Sequence, residues 1–425
     1  MLANLKKASA MRHNFLRRKF LGTIAGGTAV LGVDALAPSW FAKAAHAISP
    51  GQERVLVVIQ LSGGNDGLNT LVPLGNDDYY KARPTLAISA GEAIPLNDSL
   101  GLHPSLSGAA ELFEDTALSV IQGVGYENPN RSHFESMDIW HSCGRNEEVR
   151  SEGWLGRALA EIEAAKEDAS DVPALHLGDK KQPLALRSSS IQVPSIRSID
   201  EFKLAGNRAD RLQQLISDVA EASALENNDL LGFIRSSSAT AMMSSERVGA
   251  ATSTGKTIDG FPDSALAKQL SVVSQLIEAD LPTRIYYLEL DGFDTHSQQA
   301  AAHASLLRDW SEALVAFMRR LGETGDRDRV AVLTFSEFGR RVQENASKGT
   351  DHGAAAPVII AGGGIKNQII GTQPSLTDLQ DGDLRFSIDF RRVYATLLQD
   401  WLQVDSSQVL PTQETAWEPL SVYRA

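Results

Sequence analysis

Val330–Gly364, VAVLTFSEFGRRVQENASKGTDHGAAAPVIIAGGG, holds two short apolar runs, Val330–Phe335 and Pro357–Ala361, with polar groups set between them. Ser336, Glu337 and Arg340 stand where the first run stops, and Asp351 and His352 stand just before the second begins. Runs this short, rich in Val and Ile and bounded by Gly and charge, read as interior strands of a parallel sheet with helices on both faces. Ligand crevices in such sheets open outside the carboxyl ends of the strands, so both runs are expected to deliver polar ends to one place. Carboxylate and imidazole together suit a divalent cation such as zinc or manganese. A surface ion pair between Glu337 and Arg340, with Asp351 only ordering its loop, is the alternative that this stretch leaves open.

The pattern recurs outward along the chain. VLVVIQL, Val55–Leu61, reads as a strand, and SGGNDGLNT follows it at once. Its glycines allow close backbone approach, while Asp66 and Asn69 present polar groups at the strand's carboxyl end; an aspartate there serves a metal, a turn or a helix cap. RIYYLEL, Arg284–Leu290, is another strand, followed directly by Asp291-Gly292-Phe293-Asp294-Thr295-His296. Two carboxylates and an imidazole within six residues make this the most metal-like cluster in the chain. A strand over Ala117–Gln122 leads into a loop carrying Asn130, Arg131, Ser132 and His133, with Asp138 and His141 beyond on a helix. Serine beside arginine and histidine at a strand-to-helix turn suits a nucleophile or an anion-holding group. Ser132 and Glu135 also form a capping box, and the two roles share one geometry.

Helical periodicity marks Pro104–Glu114, Ala265–Ile277 and Phe390–Trp401, and a long helix through Leu307, Trp310, Leu314, Phe317 and Leu321. On the last of these, His303 is expected to face solvent. Short extended pieces between Leu175 and Ser198 suggest a strand excursion. Arg208–Ala222 reads as an amphipathic helix, and 236–257 is dense in Ser, Thr, Ala and Gly, so roughly 185–262 is expected to be an insertion over the sheet. There is no internal repeat, P-loop or dinucleotide fingerprint.

The first 47 residues read as an address. Arg17-Arg18-Lys19-Phe20-Leu21 is a twin-arginine signature, Leu21–Leu36 is gently apolar, and Ala45-His46-Ala47 fits a cleavage site. The expected mature domain is 48–425, periodic in neither repeat nor membrane span, and is delivered to the periplasm or beyond by the twin-arginine export machinery. Its 33 basic and 52 acidic residues, against 40 and 53 in the full chain, argue against nucleic acid or anionic lipid as main partner. With Cys143 as its one cysteine, the chain builds no internal disulfide framework.

The signal together with GGNDGLNT, NPNRSHF, LDGFDTH, LTFSEFGRR and TDHGAAAP, in that order from about Val55 to Trp401, resembles the exported bacterial family known as domain of unknown function 1501. That family in turn resembles the alkaline-phosphatase and sulfatase superfamily, whose members hold one or two divalent metals and a nucleophile at the carboxyl edge of a central sheet. The resemblance implies an α/β fold with a central, mostly parallel sheet and helices on both faces. It puts Asp66 in the place of the first-strand metal aspartate and Ser132 in that of the nucleophile; Arg131 or the backbone N–H groups of its loop would hold the remaining ester oxygens. It implies that Asp291 or Asp294, with His296 and His352, serves one metal, Asp351 standing beside them, and that Glu337 serves the other. Phe338 stands where the second metal's histidine would be, and phenylalanine cannot ligate. The implied cofactor is a divalent cation, zinc, manganese, calcium or magnesium. The implied activity is hydrolysis of phosphate or sulfate esters, on a small anionic or glycan-ester substrate. The alternative is a non-catalytic exported protein that binds an anionic glycan or a surface partner through a degenerate metal site.

Overall fold

Every side chain from Val55 to Leu61 is buried, and alternation along the strand divides them between two cores. Val55, Val57, Ile59 and Leu61 join one, and Leu56 and Val58 join the other, as expected of a central strand covered on both faces. The computed structural model describes residues 53–145, 150–166, 172–178, 180–196, 259–411 and 416–424. The twin-arginine stretch, the cleavage site, the helix expected at 208–222 and the segment 236–257 lie outside the described residues. No helix among the described residues is long and apolar enough to cross a membrane.

In chain order the strands are β1 (Val55–Ser62), β2 (Leu71–Pro73), β3 (Ile94–Pro95), β4 (Leu100–Leu102), β5 (Leu118–Gly125), β6 (Ala174–Leu177), β7 (Ser195–Ile196) and β8 (Ile285–Asp291). After them come β9 (Val330–Phe335), β10 (Arg340–Glu344), β11 (Thr350–His352), β12 (Ala356–Gly362), β13 (Gln368–Ile370), β14 (Leu379–Gln380), β15 (Asp383–Leu384) and β16 (Ile388–Asp389). The main sheet runs β13-β5-β12-β9-β1-β8-β6-β7, with β16 also on β5. Helices Ser107–Glu114, Ala265–Glu278 and Gln299–Thr324 supply one core, and His133–Ser142, Trp154–Ala164 and Phe390–Thr396 the other. The α/β layering therefore matches the reading of the sequence. Ala185, Leu186 and Ile196 are buried in these same cores, so the described start of the expected insertion, 185–196, belongs to the main sheet and its cover.

One strand departs from the expected direction. β1 runs parallel to β8 and β9, but β12 runs antiparallel to both its neighbours, β9 and β5. The chain leaves β9, makes the β10–β11 hairpin and returns down β12, a connection with no crossover helix. This reversal brings the segment before β12, which carries Asp351 and His352, to the carboxyl edge of β9 and β1. In an all-parallel sheet that segment would have entered from the opposite edge.

Candidate metal centre

Three imidazoles and one carboxylate meet at the carboxyl edge. His133 is the first residue of its helix; its Nε2 lies 3.5 Å from Asp294 Oδ1 and its Nδ1 lies 2.9 Å from Glu337 Oε1. His296 Nε2 lies 3.0 Å from Asp294 Oδ1 and 2.9 Å from His352 Nε2, while its Nδ1 is 3.1 Å from Asp351 Oδ1. His352, the last residue of β11, has its Nε2 3.1 Å from Asp294 Oδ1 and its Nδ1 2.8 Å from the Arg131 carbonyl oxygen.

Those outer partners fix the tautomers. A carbonyl or carboxylate oxygen only accepts, so each Nδ1 carries the proton and donates it outward. Each Nε2 is thereby turned inward, toward the others and toward Asp294. Ligand atoms of His133, Asp294 and His352 lie within 4.8 Å of one another. The Nε2 atoms of His296 and His352 lie 2.9 Å apart with a carboxylate oxygen beside both, a crowding of donor atoms that either a shared proton or a bound cation relieves. The donor set thus fits a divalent metal, and the outward Nδ1 bonds are the second-sphere contacts that orient metal-binding histidines.

Arg340 holds the frame. Its buried guanidinium donates to the carbonyls of Gly64 (2.7 Å), Thr350 (2.8 Å), Phe293 (2.9 Å) and Gly63, and to Asp294 Oδ1 (2.8 Å). It ties the turn after β1, the loop after β8 and strand β11 into one body. Gly63 (φ +119°) lets the first of these pass close enough that an added Cβ would overlap the Asp294 backbone nitrogen. Partial burial pushes the Asp294 carboxyl upward, but hydrogen bonds from Arg340 and His352, with the charges of Arg340 and His296, outweigh it and hold it at about 2. The hydrogen bond to Glu337 raises the His133 pKa against the opposing effect of burial.

The remaining expected residues fall around this cluster in other roles. Glu337 is buried and accepts from Gly63 N at 2.8 Å and Ser336 Oγ at 3.1 Å as well as from His133. It and Asp351 orient rings; neither contributes the inward atom. Asp66 is not part of the cluster. It is a buried helix cap, paired with the buried Arg83 and accepting from Gln299 Nε2, so a guanidinium already neutralises it. Asp291 is exposed and paired with Lys180 at 2.8 Å. Arg131 sends its guanidinium to Asp383 Oδ2 at 2.6 Å, and only its carbonyl serves the site.

Ser132 is exposed at the helix N-cap, and its hydroxyl makes no capping bond. The capping box does not form, because Glu135 pairs with Arg150 instead. Phe338 is buried with its ring 5.0 Å from that of His133 and 4.8 Å from that of His352, packing the imidazoles from behind. His303 does not face solvent: it is buried, bonded through Nε2 to Asn65 Oδ1 at 3.0 Å, and burial lowers its pKa to about 4. His133 is the cluster member that the sequence reading passed over; its signal was its place in NPNRSHF, directly after the expected nucleophile.

The chain belongs to the family described as Protein of unknown function (DUF1501), whose model matches residues 53–413. A search of curated proteins gives no match. Among solved structures, it is similar to a protein in the alkaline phosphatase superfamily from Vibrio parahaemolyticus, at 8% identity over 87% of this chain and 71% of that one, with a TM-score of 0.40. It is also similar to the PsFucS1 sulfatase from Pseudoalteromonas sp., at 10% identity, 87% and 71% coverage and a TM-score of 0.36. The C-terminal periplasmic domain of EcEptC from Escherichia coli, in complex with Zn, is similar at 9% identity, 73% coverage of each chain and a TM-score of 0.35.

Proposed function

We propose that the chain is an exported, divalent-metal-dependent hydrolase of phosphate or sulfate esters, working in the periplasm or outside the cell. The observation that carries this reading is the convergence of three inward Nε2 atoms on Asp294, each ring held by an outward acceptor. His133, Asp294, His296 and His352 would hold the cation. Three imidazoles and one carboxylate favour zinc or manganese over calcium or magnesium, which prefer oxygen ligands. When bound, such a cation screens the negative oxygens of the ester and lowers the pKa of an attacking hydroxyl.

The chain's own groups do the rest. Glu337, Asp351 and the Arg131 carbonyl keep the rings in register, and Arg340 keeps Asp294 ionised and in place. Ser132, adjacent to His133 and with a hydroxyl unoccupied by capping, is the proposed nucleophile. Lys180, Lys181 and Arg187 line the cleft in front of the cluster, with Lys180 paired to Asp291, so the bound cation would supply most of the positive charge that an anionic substrate needs inside an acidic protein. A second reading, an exported binding protein that holds an anion without turning it over, draws on Glu337 and Phe338. With Glu337 committed to second-sphere bonds and Phe338 unable to ligate, the centre has donors for one metal and none for a second among these residues.

Metal analysis of protein purified without added metal, together with turnover on a panel of phosphate and sulfate esters, tests the proposal. Stoichiometric zinc or manganese with turnover of at least one ester class is the expected result. Bound metal without turnover selects the second reading, and absence of both overturns the first.

A further inference from the structure

The cluster adjoins a cleft of about 740 Å³ that His133, Asp294 and Glu337 line, while His296 and His352 do not. One wall is the helix His133–Ser142. Phe134, Met137, Asp138 and His141 line the cleft from it, at the three- and four-residue intervals that share one helix face. The facing wall is the segment from Lys180 to Arg187, which contributes Pro183 and Leu184. Phe134 is 87% exposed, the one large hydrophobic so placed among the described residues. Met137 and Leu184 are partly exposed beside it. Apolar side chains left facing a concave, otherwise polar site mark ligand contact.

We infer that this cleft takes the alcohol portion of an aryl ester, the ring against Phe134, Met137 and Leu184 and the anionic group at the metal cluster. The inference rests on the ester-hydrolase reading and narrows it to a substrate class. A second cleft, about 440 Å³, lies at Arg131 and is lined by Asn128, Asn130, Gln380 and Asp381 among others. The hydroxyl groups of a sugar would find hydrogen-bond partners there, but no cluster imidazole and no Asp294 lines it. The cleft that the cluster does reach offers apolar contact instead.

The test is equilibrium binding of non-hydrolysable probes to the zinc-loaded protein by isothermal titration calorimetry, followed by turnover. Phenylphosphonate is expected to bind roughly 10- to 100-fold tighter than methylphosphonate, the ratio that burying one ring against this wall supplies. Its heat-capacity change should be more negative. Phe134→Ala should bring that ratio toward one and Phe134→Trp should restore it; at 87% exposure neither change disturbs the core. Equal affinity for the two phosphonates, binding of neither, or tighter binding of glucose 6-phosphate than of phenylphosphonate overturns the inference. Turnover separates the two claims. Selective binding with no hydrolysis of phenyl phosphate or phenyl sulfate leaves the cleft assignment standing and removes the hydrolase reading. Hydrolysis of phenyl and methyl esters at the same kcat/KM, unaffected by Phe134, does the reverse.

Discussion

Glu337 is the residue whose replacement best separates a ligand from an orienting partner. Its Oε1 accepts from Gly63 N at 2.8 Å and from His133 Nδ1 at 2.9 Å, and its Oε2 from Ser336 Oγ at 3.1 Å, all at 2% exposure. Glu337→Gln keeps a carbonyl oxygen where Oε1 stood, so both donors retain an acceptor and the stability cost should stay near 1 kcal/mol. What is lost is the negative charge that makes His133 more basic. Weakening such a carboxylate–histidine pair lowers metal affinity roughly 10- to 100-fold, about 1.4–2.7 kcal/mol. Glu337→Ala removes the acceptor from the buried Gly63 N–H, at roughly 1–3 kcal/mol, and from the partly exposed His133 Nδ1, and should lower the thermal midpoint more. Zinc affinity by chelator competition and thermal melts of the metal-free proteins measure both effects. In metal-free Glu337→Gln, the His133 pKa followed by NMR should fall, since the Glu337 hydrogen bond is the main cause of its rise. Zinc binding abolished in Glu337→Gln would make Glu337 a ligand, and affinity unchanged within twofold would remove its orienting role; either result refutes the reasoning.

Further expectations follow from the same contacts. His296→Ala or His352→Ala should remove most bound metal, read by elemental analysis, with little change in melting of the metal-free protein, because both rings are partly exposed and belong to neither core. Asp66→Ala should do the opposite, leaving metal content intact while the orphaned, fully buried Arg83 costs about 3–5 kcal/mol in denaturant unfolding. Ser132→Ala should change stability by less than about 0.5 kcal/mol, since no capping bond is lost, while ester turnover drops by orders of magnitude with metal retained. The Asp294 carboxyl, at about 2, lies below its ordinary value of 3.8, so its stabilising contribution is present above pH 4 and is lost as pH falls toward 2. At 47% side-chain exposure, solvent screening holds this to about 1 kcal/mol. The stability difference between metal-free wild type and Asp294→Asn should accordingly shrink across that window.

Much of this protein is legible in its sequence. Val55–Leu61 and Val330–Phe335 read as interior strands, because runs that apolar and that short are covered on both faces, and Arg284–Leu290 reads as another strand. Each set its polar residues at the carboxyl end, and the structure brings His296, Glu337 and His352 to that edge, with Asp294 at the centre. His303 was legible too: it lies four residues before Leu307, on the buried stripe, and that phase, not its polarity, decides its burial. Three things were left to the tertiary structure. A strand apolar on both faces reads the same in either direction, so only pairing decided that Ala356–Gly362 runs antiparallel and carries His352 to the site. A carboxylate's role depends on what reaches it first, and Arg83 claimed Asp66 while His133 and His296 claimed Glu337 and Asp351. At the start of the helix after β5, the direction of each side chain is set by the turn that launches the helix. That turn sends the Arg131 guanidinium to Asp383 and the His133 ring to Asp294, although the two residues stand only two positions apart.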